Sequence, residues 1–250
     1  MDRIAPTRRP EQPVVMRQTW QKLLFLHWSV EPAVLQRLLP SGLTVDTFEG
    51  NAYIGLVPFT MRNVRPVWSP PVRGLSHFHE TNVRTYVHRD GAEPGVWFFS
   101  LDAANPVAVQ IARTVWKLPY YFARMSLTEQ ENQITYASER IGPAPVRGPL
   151  GGPVGCHVRC QPVGTPCPAK PDTLECFLAE RYILYSHDGS HLYFGRVHHT
   201  PYPLQTAVVT EWEENLTAAA GIQHTSDAPL AHYASGVDVE VFPLQRAGQT

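Results

Sequence analysis

The run from residue 76 to residue 127 constrains the fold more than any other part of the chain. SHFHETNVRTYVHRD, GVWFFSLDA, NPVAVQIARTVWK and LPYYFARMSL read as strand, strand, helix, strand. Residues 78–88 alternate with period two, so Glu80, Asn82, Arg84, Tyr86 and His88 share one face. His79, Thr81, Val83, Thr85 and Val87 share the other, which is only moderately apolar, so neither face is plainly the core. The polar face reads either as a cavity wall or as the solvent side of an antiparallel strand. Residues 95–101 form a second, aromatic strand. Asn105 suits an N-cap and Pro106 the first helical position. Ala108, Ile111, Ala112, Val115 and Trp116 then recur at helical spacing. Pro119 stops that helix near Lys117, because the residue before a proline avoids the helical region. In the strand over 120–127, Tyr120, Phe122 and Arg124 fall on one mixed face that can close a pocket.

The rest of the chain is cut short by its 24 prolines. Residues 1–15 read as a disordered lead-in. Residues 22–30 suit a buried strand, and 31–39 a short helix with Ser29 as its cap and Pro32 in its first turn. Strands over 43–48 and 51–64 read as a hairpin joined at Glu49-Gly50. The proline-bearing stretch 66–74 cannot join a sheet interior. After strands over 120–127 and 134–139, residues 141–171 are rich in glycine and proline, and only 155–162 can pair in a sheet. We read this as an excursion within a single domain over 16–250, because no second periodic core follows. Asp172 then caps a helix over 173–180. Residues 181–186 and 191–197 flank the turn His187-Asp188-Gly189-Ser190. A strand over 206–213, a helical turn over 216–220 and an alternating strand over 236–242 complete the chain. Many strands with few short helices indicate an α+β, mainly β fold: an antiparallel β-barrel or strongly curved sheet.

Composition narrows the function classes. The 250 residues carry a formal net charge of -1, which gives no electrostatic case for nucleic acid or anionic membrane. No apolar run approaches the roughly 20 residues of a spanning helix, and the charged, proline-containing start has no apolar core of a secretory signal. A cytoplasmic protein with reduced thiols, compatible with a homo-oligomer, is the expectation. The cysteines Cys156, Cys160, Cys167 and Cys176 fit neither a paired C-x-x-C zinc site nor a regular disulfide framework. His77 and His79 could chelate a metal from one strand face, with His198 and His199 from elsewhere. That set lacks the helical H-E-x-x-H pattern and a carboxylate partner, so no metal site is expected. Lys117 has a sufficient structural reason in the dipole at a helix C-terminus. There is no G-x-S-x-G elbow and no glycine-rich phosphate loop, and no cofactor is expected.

The runs LLFLHW, LLPSGLTVDTFEGNAYIGLVPFTM, FHETNVRTYV, GVWFFSLDA, LPYYFARM, FLAERYILY and VHHTPYPL resemble the uncharacterised YqjF-like family, domain of unknown function 2071. The resemblance covers nearly the whole chain from about Trp20 onward. It implies an acetoacetate decarboxylase-like fold with an internal cavity. Those decarboxylases carry G-R-E-x-x-G-x-P-K-K, whose first lysine forms a Schiff base with the substrate ketone. Here the segment from Ala112 to Tyr121 keeps Arg113 and Pro119, but Tyr120 stands where that lysine belongs. Ser29 falls where the decarboxylases use an arginine, and Glu80 about where they keep a glutamate. Without the amine no imine can form, so the resemblance implies the cavity without Schiff-base decarboxylation. The candidate catalytic residues are then Glu80, as general acid or base, and Tyr120, as hydrogen-bond donor to a carbonyl. Asn82, Arg84, Tyr86, Arg113 and Phe122 are the candidate ligand-binding residues. Three readings remain: proton-transfer chemistry on a small oxo acid, a non-catalytic metabolite-binding role, or a structural Glu80–Arg84 pair.

Overall fold

The computed structural model describes residues 1–142, 148, 151–225 and 227–248. Residues 143–147 and 149–150, within the glycine- and proline-rich stretch, lie outside the described residues. The strands are β1 (Met16–Val30), β2 (Thr44–Val45), β3 (Ala52–Pro66), β4 (Phe78–Arg89), β5 (Ala92–Ala103), β6 (Tyr120–Gln130) and β7 (Gln133–Arg140). They continue as β8 (Gly155–Cys167), β9 (Ile183–His187), β10 (Leu192–His198), β11 (Leu204–Glu214), β12 (Leu230–Val241) and β13 (Gln245–Arg246). The helices are α1 (Pro32–Gln36), α2 (Pro106–Val115), α3 (Leu174–Ala179) and α4 (Leu216–Ala219). Among the described residues all strands join one 13-stranded mixed sheet.

That sheet closes on itself twice. Pairing of β4 with β5 closes the circuit β4-β5-β6-β7-β8-β11-β12-β1-β3. Parallel pairing of β5 with β9 and antiparallel pairing of β10 with β12 close a second circuit, β4-β5-β9-β10-β12-β1-β3. The two rings share a wall, and strand alternation sorts its side chains between them. On β1, Leu23 and Phe25 enter one apolar cluster while Leu24 and Leu26 enter the other. On β3, Val57 and Phe59 go with the first, and Ile54 and Leu56 with the second. A wall buried on both faces explains why β4 is polar on one side and only moderately apolar on the other. Neither side meets bulk water, and residues 80–87 are all buried.

Local chemistry sets several turns. Asp90 and Gly91 both adopt positive φ (51° and 74°) between β4 and β5, the geometry of a two-residue turn matching strand twist. Gly95 lies where β5 crosses β9. A Cβ there would stand 2.6 Å from the Ile183 carbonyl oxygen, so only glycine lets the second ring close. Asn105 caps α2 as its sequence position predicts, accepting from the Val107 and Ala108 amides at 3.0 and 3.1 Å.

Some local expectations are corrected. The lead-in is docked: it forms a 3-10 turn over Ala5–Thr7, and Arg3 Nε reaches Asp46 at 3.2 Å. Glu31, not Ser29, precedes α1, and no side chain caps that helix. β2 pairs with β4 rather than with β3, leaving a single bridge, Phe48 to Asn51, of the expected hairpin. Thr173 caps α3 in place of Asp172, whose φ of 63° is incompatible with the extended backbone an N-cap requires. The excursion is also less complete than expected, since β8 runs as far as Cys167 and pairs with β7 and β11.

Candidate functional site: a cavity along β4

The second ring encloses a cavity of about 340 Å³. The polar face of β4 forms one wall, with Glu80, Asn82 and Arg84 lining it in succession. Aromatic and aliphatic side chains supply most of the remainder, among them Trp20, Val57, Phe59, Phe98 and Leu101. Tyr120, at the first position of β6, joins the wall because β6 pairs in parallel with the end of β5, setting Tyr120 against Leu101.

Glu80 is 3% exposed, and its Oε2 accepts a hydrogen bond from the Tyr120 hydroxyl at 2.8 Å. Burial pushes the Glu80 carboxyl up to about 8; the Tyr120 hydrogen bond pulls it down and the Asp102 charge adds to the rise. Tyr120 itself is held well above the usual phenol range, first by burial and then by the neighbouring carboxylate. The pair therefore shares one hydrogen bond between two groups, each resisting ionisation. Asp102, across β5, is a separate case. It takes Arg140 in a buried ion pair at 2.9 Å, and burial, opposed by Arg140, brings it to about 6.

Arg84 occupies the far end of the same face. One guanidinium nitrogen donates to the Leu178 carbonyl at 2.9 Å, and the group lies 5.5 Å from the Phe25 ring centre. Its Nε is buried with no partner, as is Asn82 Oδ1. Glu80 and Arg84 stand four residues apart, about 13 Å along the strand backbone, and form no ion pair within 4.0 Å. Among the described residues no carboxylate lies within 4.0 Å of Arg84. Arg181 also reaches the cavity and pairs with Asp46 at 3.0 Å, a carboxylate that Arg3 engages as well.

Other expected residues sit elsewhere. Tyr86 lies behind Arg84 rather than on the cavity wall; its hydroxyl donates to the Leu178 carbonyl at 2.6 Å. The Tyr86 hydroxyl oxygen in turn accepts from His27 Nε2 at 2.6 Å, and burial, aided by the Arg84 charge, keeps His27 neutral. Arg113 does not enter the cavity: on the exposed face of α2, its Nε donates to the Tyr120 carbonyl at 2.6 Å, steadying the backbone that carries the phenol. Phe122 packs into the apolar cluster without reaching the cavity, since β6 leaves β5 there to pair with β7. Ser29 is exposed and faces away. His77 and His79 bond individually to the Asn63 amide and the Thr60 hydroxyl. Among the described residues no three His, Cys, Asp or Glu side chains gather as a metal site. Sequence reasoning missed Arg181 and Tyr202, which reach the cavity from beyond α3 and from the segment before β11. Their signal was present only as the long family-like runs FLAERYILY and VHHTPYPL.

Comparison with known proteins agrees with this architecture. The model of the DUF2071 family, an uncharacterized conserved protein, matches residues 17–238. The chain is 38% identical over 232 residues to the uncharacterized protein YqjF of Bacillus subtilis (strain 168), spanning 93% of this chain and 92% of that protein. Among solved structures it is similar to acetoacetate decarboxylase from Legionella pneumophila subsp. pneumophila str. Philadelphia 1. The TM-score is 0.67 at 12% identity, over 97% of this chain and 92% of that one. It is also similar to the enduracididine biosynthesis enzyme MppR complexed with pyruvate, with a TM-score of 0.63 at 10% identity over 96% and 93% of the chains. At these identities the structural likeness carries the fold alone. The chain has the acetoacetate decarboxylase-like fold and belongs to the DUF2071 family.

Proposed function

We propose that this protein binds a small carbonyl-bearing molecule in the β4 cavity and moves a proton on it, with Glu80 as acid–base group and Tyr120 as its partner. The observation that carries the reading is the Glu80–Tyr120 hydrogen bond on the cavity wall, 2.8 Å long and buried, with the carboxyl brought to about 8. A carboxyl titrating there keeps a minor ionised fraction at pH 7 that can take an α-proton from carbon, becoming the acid that returns a proton to the enolate while the Tyr120 hydroxyl donates to the oxyanion. Pyruvate, which MppR holds in the same fold, makes oxo acids the first class to test.

Imine chemistry is not part of this reading. The chain has three lysines, Lys22, Lys117 and Lys170, and none is among the cavity-lining residues. Lys22 pairs with Glu129, Lys117 Nζ donates to the Thr114 carbonyl at 2.7 Å, and Lys170 is exposed. Borohydride reduction in the presence of acetoacetate or pyruvate should therefore leave no mass adduct, and an adduct on Lys117 would reverse this part of the reading.

The direct test is exchange of α-protons in deuterium oxide, followed by proton NMR on a panel of oxo acids and ketones. The protein should accelerate exchange for at least one of them. Glu80→Gln should lower that rate by about 10²–10⁴-fold, the usual contribution of a positioned acid–base group. Exchange at the same rate in Glu80→Gln, or no acceleration by either protein, would sink the proton-transfer role. Native mass spectrometry of the purified protein, seeking a retained ligand, tests binding independently.

A further inference from the structure

The cavity is a tube whose three zones differ in chemistry. Its mouth lies at the end of the barrel where the 67–77 segment leads into β4 and α2 follows β5. Val72, Leu75, Val107 and Ile111 line the cavity while remaining 42–49% exposed, an apolar rim open to solvent. One strand pleat inside stands the Glu80–Tyr120 pair, and Arg84 follows two pleats further, about 13 Å along the strand backbone. The deep end carries excess positive charge: Arg84 lacks a carboxylate partner, and Asp46 is shared between Arg181 and Arg3. A buried guanidinium without a counter-ion is costly unless something anionic completes it.

Resting on the small-molecule reading above, we propose that the occupant is an elongated amphipathic carboxylic acid. Arg84 holds the carboxylate at the deep end, and the aliphatic chain runs along β4 past Glu80 and Tyr120 and leaves through the rim formed by α2 and the 67–77 segment. At about 1.3 Å of advance per methylene, a chain of roughly ten carbons matches the strand span from Arg84 to Glu80, and roughly fifteen carries it past Glu80 to the rim. Arg84 Nε and Asn82 Oδ1, both buried and without partners, mark the wall along which the head group seats. The carbon presented to Glu80 is then remote from the carboxylate, and a carbonyl placed there is the group on which proton transfer would act.

Isothermal titration with straight-chain acids of 4 to 16 carbons, and with primary alcohols of matching length, tests this proposal. For the acids, Kd should fall about fourfold per added methylene until the rim is reached. The acids should bind at least about tenfold more tightly than the alcohols, from hydrogen bonds to a charged group. Arg84→Met should bring acids to the level of alcohols, and Ile111→Asp should flatten the dependence for the longest acids. Ile111 is half exposed, so this second variant keeps the test decisive if Arg84→Met fails to fold. A Kd independent of chain length, or alcohols binding as tightly as acids, would overturn the proposal. If chain length has no effect while α-proton exchange persists, the ligand class falls and proton transfer stands. If exchange is absent while the chain-length dependence holds, proton transfer falls and the ligand class stands.

Discussion

Glu80→Gln should change how stability depends on pH, independently of any ligand. In the unfolded chain the carboxyl titrates near 4.5; in the folded protein burial brings it to about 8. Between those values the folded state keeps a proton that the unfolded state releases, so stability falls as pH rises from about 4.5 through 8 and is level above. Each pKa unit between states is worth about 1.4 kcal/mol, so the wild type forfeits on the order of 5 kcal/mol across that window. Water admitted through the open rim reduces the figure by solvating the carboxylate. Glutamine keeps the shape and still accepts from Tyr120, but it has no charge to desolvate. Urea unfolding midpoints at pH 5, 6, 7, 8 and 9 should show wild type and variant close at pH 5, with the variant gaining steadily to pH 8. Asp102, also raised by burial, titrates in both proteins, so its own contribution cancels and only its repulsion of the Glu80 carboxylate stays in the difference. A difference that is the same at every pH would refute the claim that Glu80 is buried and protonated.

Tyr120→Phe removes the hydrogen bond that pulls Glu80 down, so the upper edge of that window should move above pH 8, with a loss of about 1 kcal/mol at neutral pH. An unmoved edge would mean that the phenol is not bonded to the carboxyl. Of the four free cysteines only Cys167 is exposed; burial pushes the Cys156 and Cys160 thiols up to about 12 and raises that of Cys176. Ellman's reagent should therefore titrate one thiol rapidly in the native protein and four after denaturation, and fast reaction of a second thiol would contradict the burial. Gly95→Ala should destabilise by about 1–3 kcal/mol, because its Cβ would press on the Ile183 backbone where β5 meets β9. A neutral effect in thermal denaturation would show that the second ring is looser than described.

Much of the fold was legible in the residues. Alternation over 78–88 placed Glu80, Asn82 and Arg84 on one face, and these three do line the cavity together. The Asn105-Pro106 start of α2 and the turn between β9 and β10 were equally plain, because capping and turn chemistry act over a few residues. The errors share one cause. Period two states which side chains share a face but not what covers it. The solvent-face alternative for β4 failed because a second ring lies behind the wall, a contact made by strands far away in sequence. Helical spacing on α2 likewise could not show that Arg113 turns outward to the Tyr120 carbonyl while Ala108 and Ile111 face the cavity. The pairing of β2 with β4 was set by the sheet rather than by the turn between β2 and β3.

By itself, then, the sequence determined the strand inventory, the chemistry carried on each face of β4, and the family. Local backbone preferences and long shared motifs are properties of consecutive residues. Only the tertiary structure decided that Glu80 and Tyr120 meet, that Glu80 and Arg84 stand too far apart to pair, and that Arg84 is left without a carboxylate. Those relations depend on ring closure through β5, β9, β10 and β12, and closure is set by packing across the whole chain.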